Sequence, residues 1–125
     1  MKNLMVEKQT DSLVKFSSSV GCGVAVWRGE ELYEDYCYDA ELHIEDVFEW
    51  GLNINKTNNK VAKIICLAEH VIFYAKVISC EKDGVVTVSL GGDVIFIEVA
   101  GFYPEAEYIT FFTSASNISL YQVNL

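Results

Sequence analysis

The stretch Tyr36-Cys37-Tyr38-Asp39-Ala40-Glu41-Leu42-His43-Ile44-Glu45 alternates at nearly every position. Tyr36, Tyr38, Ala40, Leu42 and Ile44 fall on one side; Cys37, Asp39, Glu41, His43 and Glu45 fall on the other. A period of two marks a strand with one dry face and one wet face. Glu and Leu also favour helices. At helical spacing, however, Tyr36, Ala40 and Ile44 would share a stripe with charged neighbours, and the apolar face would be poorer. The strand reading therefore prevails, and its wet face is almost wholly anionic.

Residues 46–51 follow at once and predict a short helical turn. Asp46 can cap its start, and Gly51 can take the positive φ that ends it. Residues 53–60 form a polar, Asn-rich segment that reads as a loop. Beyond them the chain reads as consecutive strands at 61–68, 71–79, 85–90, 94–100, 108–113 and 118–125. Asp83-Gly84 and Gly91-Gly92 supply hairpin turns, and Pro104 falls in a longer connection at 101–107. Upstream, residues 23–28 form another short strand. Residues 1–19 are broken by Lys2, Glu7, Lys8, Asp11 and Lys15 and read as a loosely ordered segment. The expected fold is mainly β: an antiparallel sandwich or small barrel of about eight strands with one or two short helices.

The length of 125 residues suits one domain, spanning 1–125, with a core of its own. Hydrophobic residues make up 51% of the chain, too many for intrinsic disorder. Residues 1–19 contain no apolar run of the roughly 7–15 residues that a signal peptide needs. No run approaches the roughly 20 residues of a membrane span. The expected location is the cytoplasm, where the four cysteines would be reduced and act as small hydrophobes.

Charge is the most uneven property of the chain. Of the 18 acids, nine lie between positions 30 and 49: Glu30, Glu31, Glu34, Asp35, Asp39, Glu41, Glu45, Asp46 and Glu49. No Lys or Arg interrupts them. The other nine acids match the chain's nine bases, so the whole net charge of −9 belongs to this segment. Such a field repels nucleic acid and membranes and attracts a basic partner. A solvated face usually mixes signs, so an unrelieved patch is easier to explain if a cationic surface neutralises it.

Motifs for chemistry are lacking. Cys37, Asp39, Glu41, His43 and Glu45 are all metal-ligand types, but side chains two apart on a strand stand about 6.5–7 Å apart. Three of them do not converge on one ion without a bulge, and no metal or cofactor is expected. Cys37 and His43 are too far apart along a strand to form a nucleophile pair. No GxSxG, GxxxxGK or CxxC pattern occurs. The expectation is a binding protein, not an enzyme.

A mainly-β chain of this size with one dense acidic surface resembles the small bacterial immunity proteins. These include the inhibitors paired with contact-dependent growth inhibition toxins and other polymorphic nuclease toxins. The acidic run 30–49 and the plain β-rich frame around it carry the resemblance. It implies tight one-to-one binding of a cationic toxin domain, with acidic side chains standing in for phosphates. On that reading Glu34, Asp35, Asp39, Glu41, Glu45 and Asp46 are the expected charge contacts, and Tyr33 and Trp50 the apolar anchors. Two alternatives stay open: a nucleic-acid mimic that blocks a DNA-binding protein, and a small β-barrel that binds a ligand or serves as a structural subunit.

Overall fold

The computed structural model describes residues 1–33, 35–101 and 105–123. Alternation governs it. Thirteen strands are present, and one 3-10 turn at Ala115–Asn117 is the sole helical element among the described residues. The strands are β1 (Leu4–Lys8), β2 (Leu13–Ser18), β3 (Gly21–Arg28), β4 (Cys37–Tyr38), β5 (Ala40–Ile44), β6 (Val47–Glu49), β7 (Ile54–Lys56), β8 (Lys63–Leu67), β9 (His70–Cys80), β10 (Val85–Leu90), β11 (Asp93–Ala100), β12 (Tyr108–Ser114) and β13 (Ile118–Gln122). About eight strands was thus an underestimate.

Three corrections follow from how the buried residues fall. Residues 1–19 are not loose. Leu4 and Val6 in β1, and Val14 and Phe16 in β2, are buried at a period of two, with Met5 and Lys15 exposed between them. Residues 46–51 do not form a helical turn. Val47 and Glu49 are exposed while Phe48 is fully buried, and β6 runs parallel to β11. Gly51 does take positive φ, but in a turn between strands in which its N–H donates to the Ile54 carbonyl. The polar segment 53–60 contains β7, because Ile54 is fully buried and pairs with Phe111.

All thirteen strands belong to one mixed sheet. One run is β4–β1–β2–β3, extended along the other edge of β3 by β13 and β5. A second run is β7–β12–β9–β10–β11–β6. β8 stands between them, pairing along β9 and touching β3 at Gly21 and Ile64. β3/β13, β3/β8 and β6/β11 are parallel, so the sheet is not purely antiparallel. Nor is it a closed barrel. The path from β5 round through β13, β3, β8, β9 and β10 to β11 returns beside β5 without pairing to it.

The two runs share a continuous core. Phe111 is stacked on Phe73 at 5.1 Å between ring centroids and meets Phe48 edge-on at 5.2 Å. Aromatic pairs in such arrangements add to the stability gained by burial alone. The joint between the runs is tight. Gly21 has φ +136°, and a Cβ there would overlap the Ile64 carbonyl oxygen.

Gly21→Ala is therefore expected to cost about 2 kcal/mol or more beyond the cost of Gly92→Ala. Gly92 has φ +99° but open space around a built Cβ. Urea unfolding of the two variants separates backbone overlap from the φ penalty they share. Equal midpoints would mean that the joint is not tight.

Candidate protein-binding site

The alternating segment 36–45 forms two strands, β4 and β5, with different partners, and Tyr36 lies outside both and is exposed rather than on the dry face. Cys37 and Tyr38 pair with Met5 and Leu4 of β1, whereas residues from Ala40 onward pair with β13. The switch falls at Asp39. Its carboxylate accepts the Asn3 N–H at 3.0 Å, and its carbonyl accepts the Val123 N–H at 2.9 Å. Asp39 is therefore held in a structural role at the corner between two pairings.

This corner splits the acidic run into two groups. The first lies in the loop between β3 and β4. Tyr33 and Tyr36 are exposed and meet edge-on at 5.9 Å, and the Tyr33 N–H donates to the Tyr38 hydroxyl at 2.7 Å. Asp35 lines a groove with both tyrosines over β1 and β2, and Glu7, Lys8 and Lys15 line the same groove, so this lining mixes both signs of charge. Glu34 lies outside the described residues.

The second group lies on β5 and just after it. Glu41 and Glu45 are exposed and stand on the outward face of β5 with His43. The His43 Nε2 is 3.4 Å from the Glu41 carboxylate, and its ring meets Tyr121 at 4.9 Å. Asp46 is committed elsewhere. One carboxylate oxygen accepts the Thr113 hydroxyl at 2.6 Å, and the other accepts the Val47 N–H at 2.8 Å. Thr113 is buried, and the Asn117 side chain donates to it in turn. Trp50 is half-buried against the core and lines neither depression of the seam described next.

What sequence reasoning missed is the other wall. The open seam between β5 and β11 forms two adjoining depressions of about 410 and 630 Å³. Glu41, His43 and Ile44 face Asp93, Val94 and Phe96 across the first. Glu45, Asp46 and Val47 face Val85, Phe96 and Glu98 across the second. Asp93 and Glu98 come from about fifty residues further along the chain and bring their charge to the same groove. Among the described residues no Lys or Arg lines either depression. The N-terminal ammonium at one end is bound to Asp93 at 3.3 Å. Between the carboxylates lie Phe96, Val94 and Val47, which are 63%, 55% and 52% exposed. An apolar centre with a charged rim is the usual anatomy of a protein interface.

The sequence signal for this wall was the alternation of residues 94–99. It places Val94, Phe96 and Glu98 on one face and Ile95, Ile97 and Val99 on the buried one. Large apolar residues on the outward face of a strand are the informative feature here. Of the residues expected as contacts, the structure brings Glu41, Glu45 and Asp46 to the seam and Tyr33 and Asp35 to the other groove. It leaves Asp39 at the corner and Trp50 against the core.

Comparison with family models, with curated proteins and with solved structures gives no match.

The two classes of carboxylate make opposite predictions. Asp46→Ala leaves the buried Thr113 hydroxyl without its acceptor and is expected to destabilise by about 1–3 kcal/mol. Glu45→Ala is expected to stay within about 0.5 kcal/mol of the parent. Thermal and urea unfolding measure both. Equal losses would mean that Asp46 carries no structural load.

Proposed function

We propose that the chain is an immunity-type inhibitor that binds and neutralises a basic protein partner, such as the cationic domain of a nuclease toxin. One observation supports this above the others. Acidic residues from two distant segments, Glu41 and Glu45 from one and Asp93 and Glu98 from the other, line two adjoining depressions that no Lys or Arg lines among the described residues, and of these four acids Asp93 is paired with the N-terminal ammonium. Like charges held together on neighbouring strands cost the fold free energy. A cationic surface seated over the groove relieves that cost.

The arrangement also suits rapid capture. Rim carboxylates steer a basic partner and raise the association rate, while the apolar centre governs how long the complex lasts. Phe96 is the natural anchor, since large aromatic side chains supply much of the binding energy at interface centres. On this reading Glu41, Glu45 and Glu98 are the charge contacts. Asp39 and Asp46, whose carboxylates already hold backbone or buried hydroxyl groups, serve the fold. The reading assigns no catalytic step to any residue.

Low-salt affinity capture with the tagged protein, followed by salt elution, tests the reading. A stoichiometric basic protein is expected on the parent, and at least about tenfold less of it on the Glu41→Lys, Glu45→Lys double variant. Phe96→Ser is expected to shorten the lifetime of the complex with little change in the association rate. Unfolding midpoints of these exposed-site variants should match the parent. Equal recovery on parent and double variant would remove the seam from the interface.

A further inference from the structure

The outward face of β8, β9 and β12 carries another exposed apolar surface. Cross-strand register sets its rows. Ile65, Ile72 and Phe112 are partners across the three strands. Leu67 pairs with His70 on one side of this row, and Lys63 pairs with Tyr74 on the other. The intervening residues Ile64, Val71, Phe73 and Phe111 are buried on the core side, so these rows face out. Leu67 is 63% exposed, Phe112 40% and Ile65 38%. The His70 ring meets Phe112 edge-on at 5.6 Å. A contiguous apolar patch on a sheet face marks an interaction surface.

Charge on this face is divided by position. Lys63 and, one row further out, Lys76 stand at one end. Glu69 stands at the other, exposed in the turn between β8 and β9. Glu107 precedes β12 beyond the Lys76 end, past the edge of the patch. Among the described residues neither lysine nor Glu69 forms an ion pair within the chain. Sheets that pack face to face with aligned strands stay within about 30° of each other. For two identical faces, two kinds of two-fold axis lying between the sheets achieve this. An axis along β9 sets Lys76 over its own copy. An axis along the Ile65–Ile72–Phe112 row sets each of these apolar residues over its own copy. It also brings the Glu69 end of each face over the Lys63 and Lys76 end of the other, so the favourable contact is made twice.

We infer that this face binds a second copy of the chain, in a two-fold dimer whose axis follows the Ile65–Ile72–Phe112 row. Glu69 of each copy then lies against Lys63 and Lys76 of the other. Burial of Ile65, Leu67 and Phe112 drives the association, and the charges at the rim fix the choice of axis. None of these residues lines either depression of the seam between β5 and β11. The inference therefore stands apart from the basic-partner reading.

Sedimentation equilibrium of the full chain tests the inference. The parent is expected to be dimeric at about 50 μM. Glu69→Lys, and separately the Lys63→Glu, Lys76→Glu double variant, each place like charges at both contacts. Each should weaken the dimer at least about tenfold. An equimolar mixture of the two variants restores opposite charges at both contacts. Its affinity is expected to return to within about threefold of the parent's. All these positions are exposed, so unfolding of the monomers should match the parent. A parent that is monomeric at that concentration, or that grows into open-ended oligomers, would overturn the inference. So would variants that dimerise as the parent does, or a mixture no tighter than the variants alone. Loss of the dimer in the Glu41→Lys, Glu45→Lys variant would move the contact to the seam and overturn it as well.

Discussion

The parallel pairing of β6 with β11 is the constraint on which the arrangement depends. Three register pairs, from Val47 with Glu98 to Ala100 with Glu49, fix the segment that begins at Ala40 against a strand fifty residues away. Without that pairing β5 would be an isolated edge beyond β13, and its outward carboxylates would face only water. With it, β5 lies beside β11 and two walls meet. Burial of Phe48 holds the pairing in place, because its ring is sealed against Phe111, which in turn stacks on Phe73.

The closure is incomplete, and this gives the surface its character. A fully zipped ladder would have made a barrel with no edge. Here the ladder stops after β6, and Met1 and the Asp39 corner hold the far end. The opening keeps Phe96 and Val94 exposed. Acidic side chains then serve two purposes at once. They guard an open strand edge against indiscriminate pairing, since inward- or edge-placed charge is a common protection against aggregation. On the proposed function they also favour a basic partner over an acidic one.

Much of the frame was legible in the sequence. β9 to β12 lie within one residue of their expected bounds, and β13 begins at Ile118 as expected but ends at Gln122 where 125 was expected. The strand reading of residues 36–45 was right in part: Ala40 and Leu42 are buried and Glu41 and His43 exposed on β5, but the strand breaks at Asp39, and Tyr36, expected on the dry face, lies outside it and is exposed. The N-terminal hairpin was hidden because Glu7, Lys8, Asp11 and Lys15 break the apolar runs, although Leu4 with Val6 and Val14 with Phe16 keep the period of two. The helix expected at 46–51 rested on local capping signals at Asp46 and Gly51. Those residues are used, but by a strand and a turn, because pairing with β11 outweighs local preference. The site was half legible. Glu41 and Glu45 announced themselves as a wet face, but nothing local says that β11 lies beside them. Likewise Asp39 and Asp46 resemble their neighbours in sequence, and only the distant partners Asn3 and Thr113 show that their carboxylates are occupied.

The central claim is that the open seam between β5 and β11 is the surface that meets a basic partner. Hydrogen–deuterium exchange of the chain, alone and in complex with the basic protein recovered by low-salt capture, addresses it most directly. The expected result is slowed exchange in peptides covering Ala40–Ile44 and Asp93–Ala100 together, with β8 and β12 unchanged. Protection confined to the Tyr33–Tyr36 loop or to the face of β8, β9 and β12, with both seam strands exchanging as in the free protein, would contradict it.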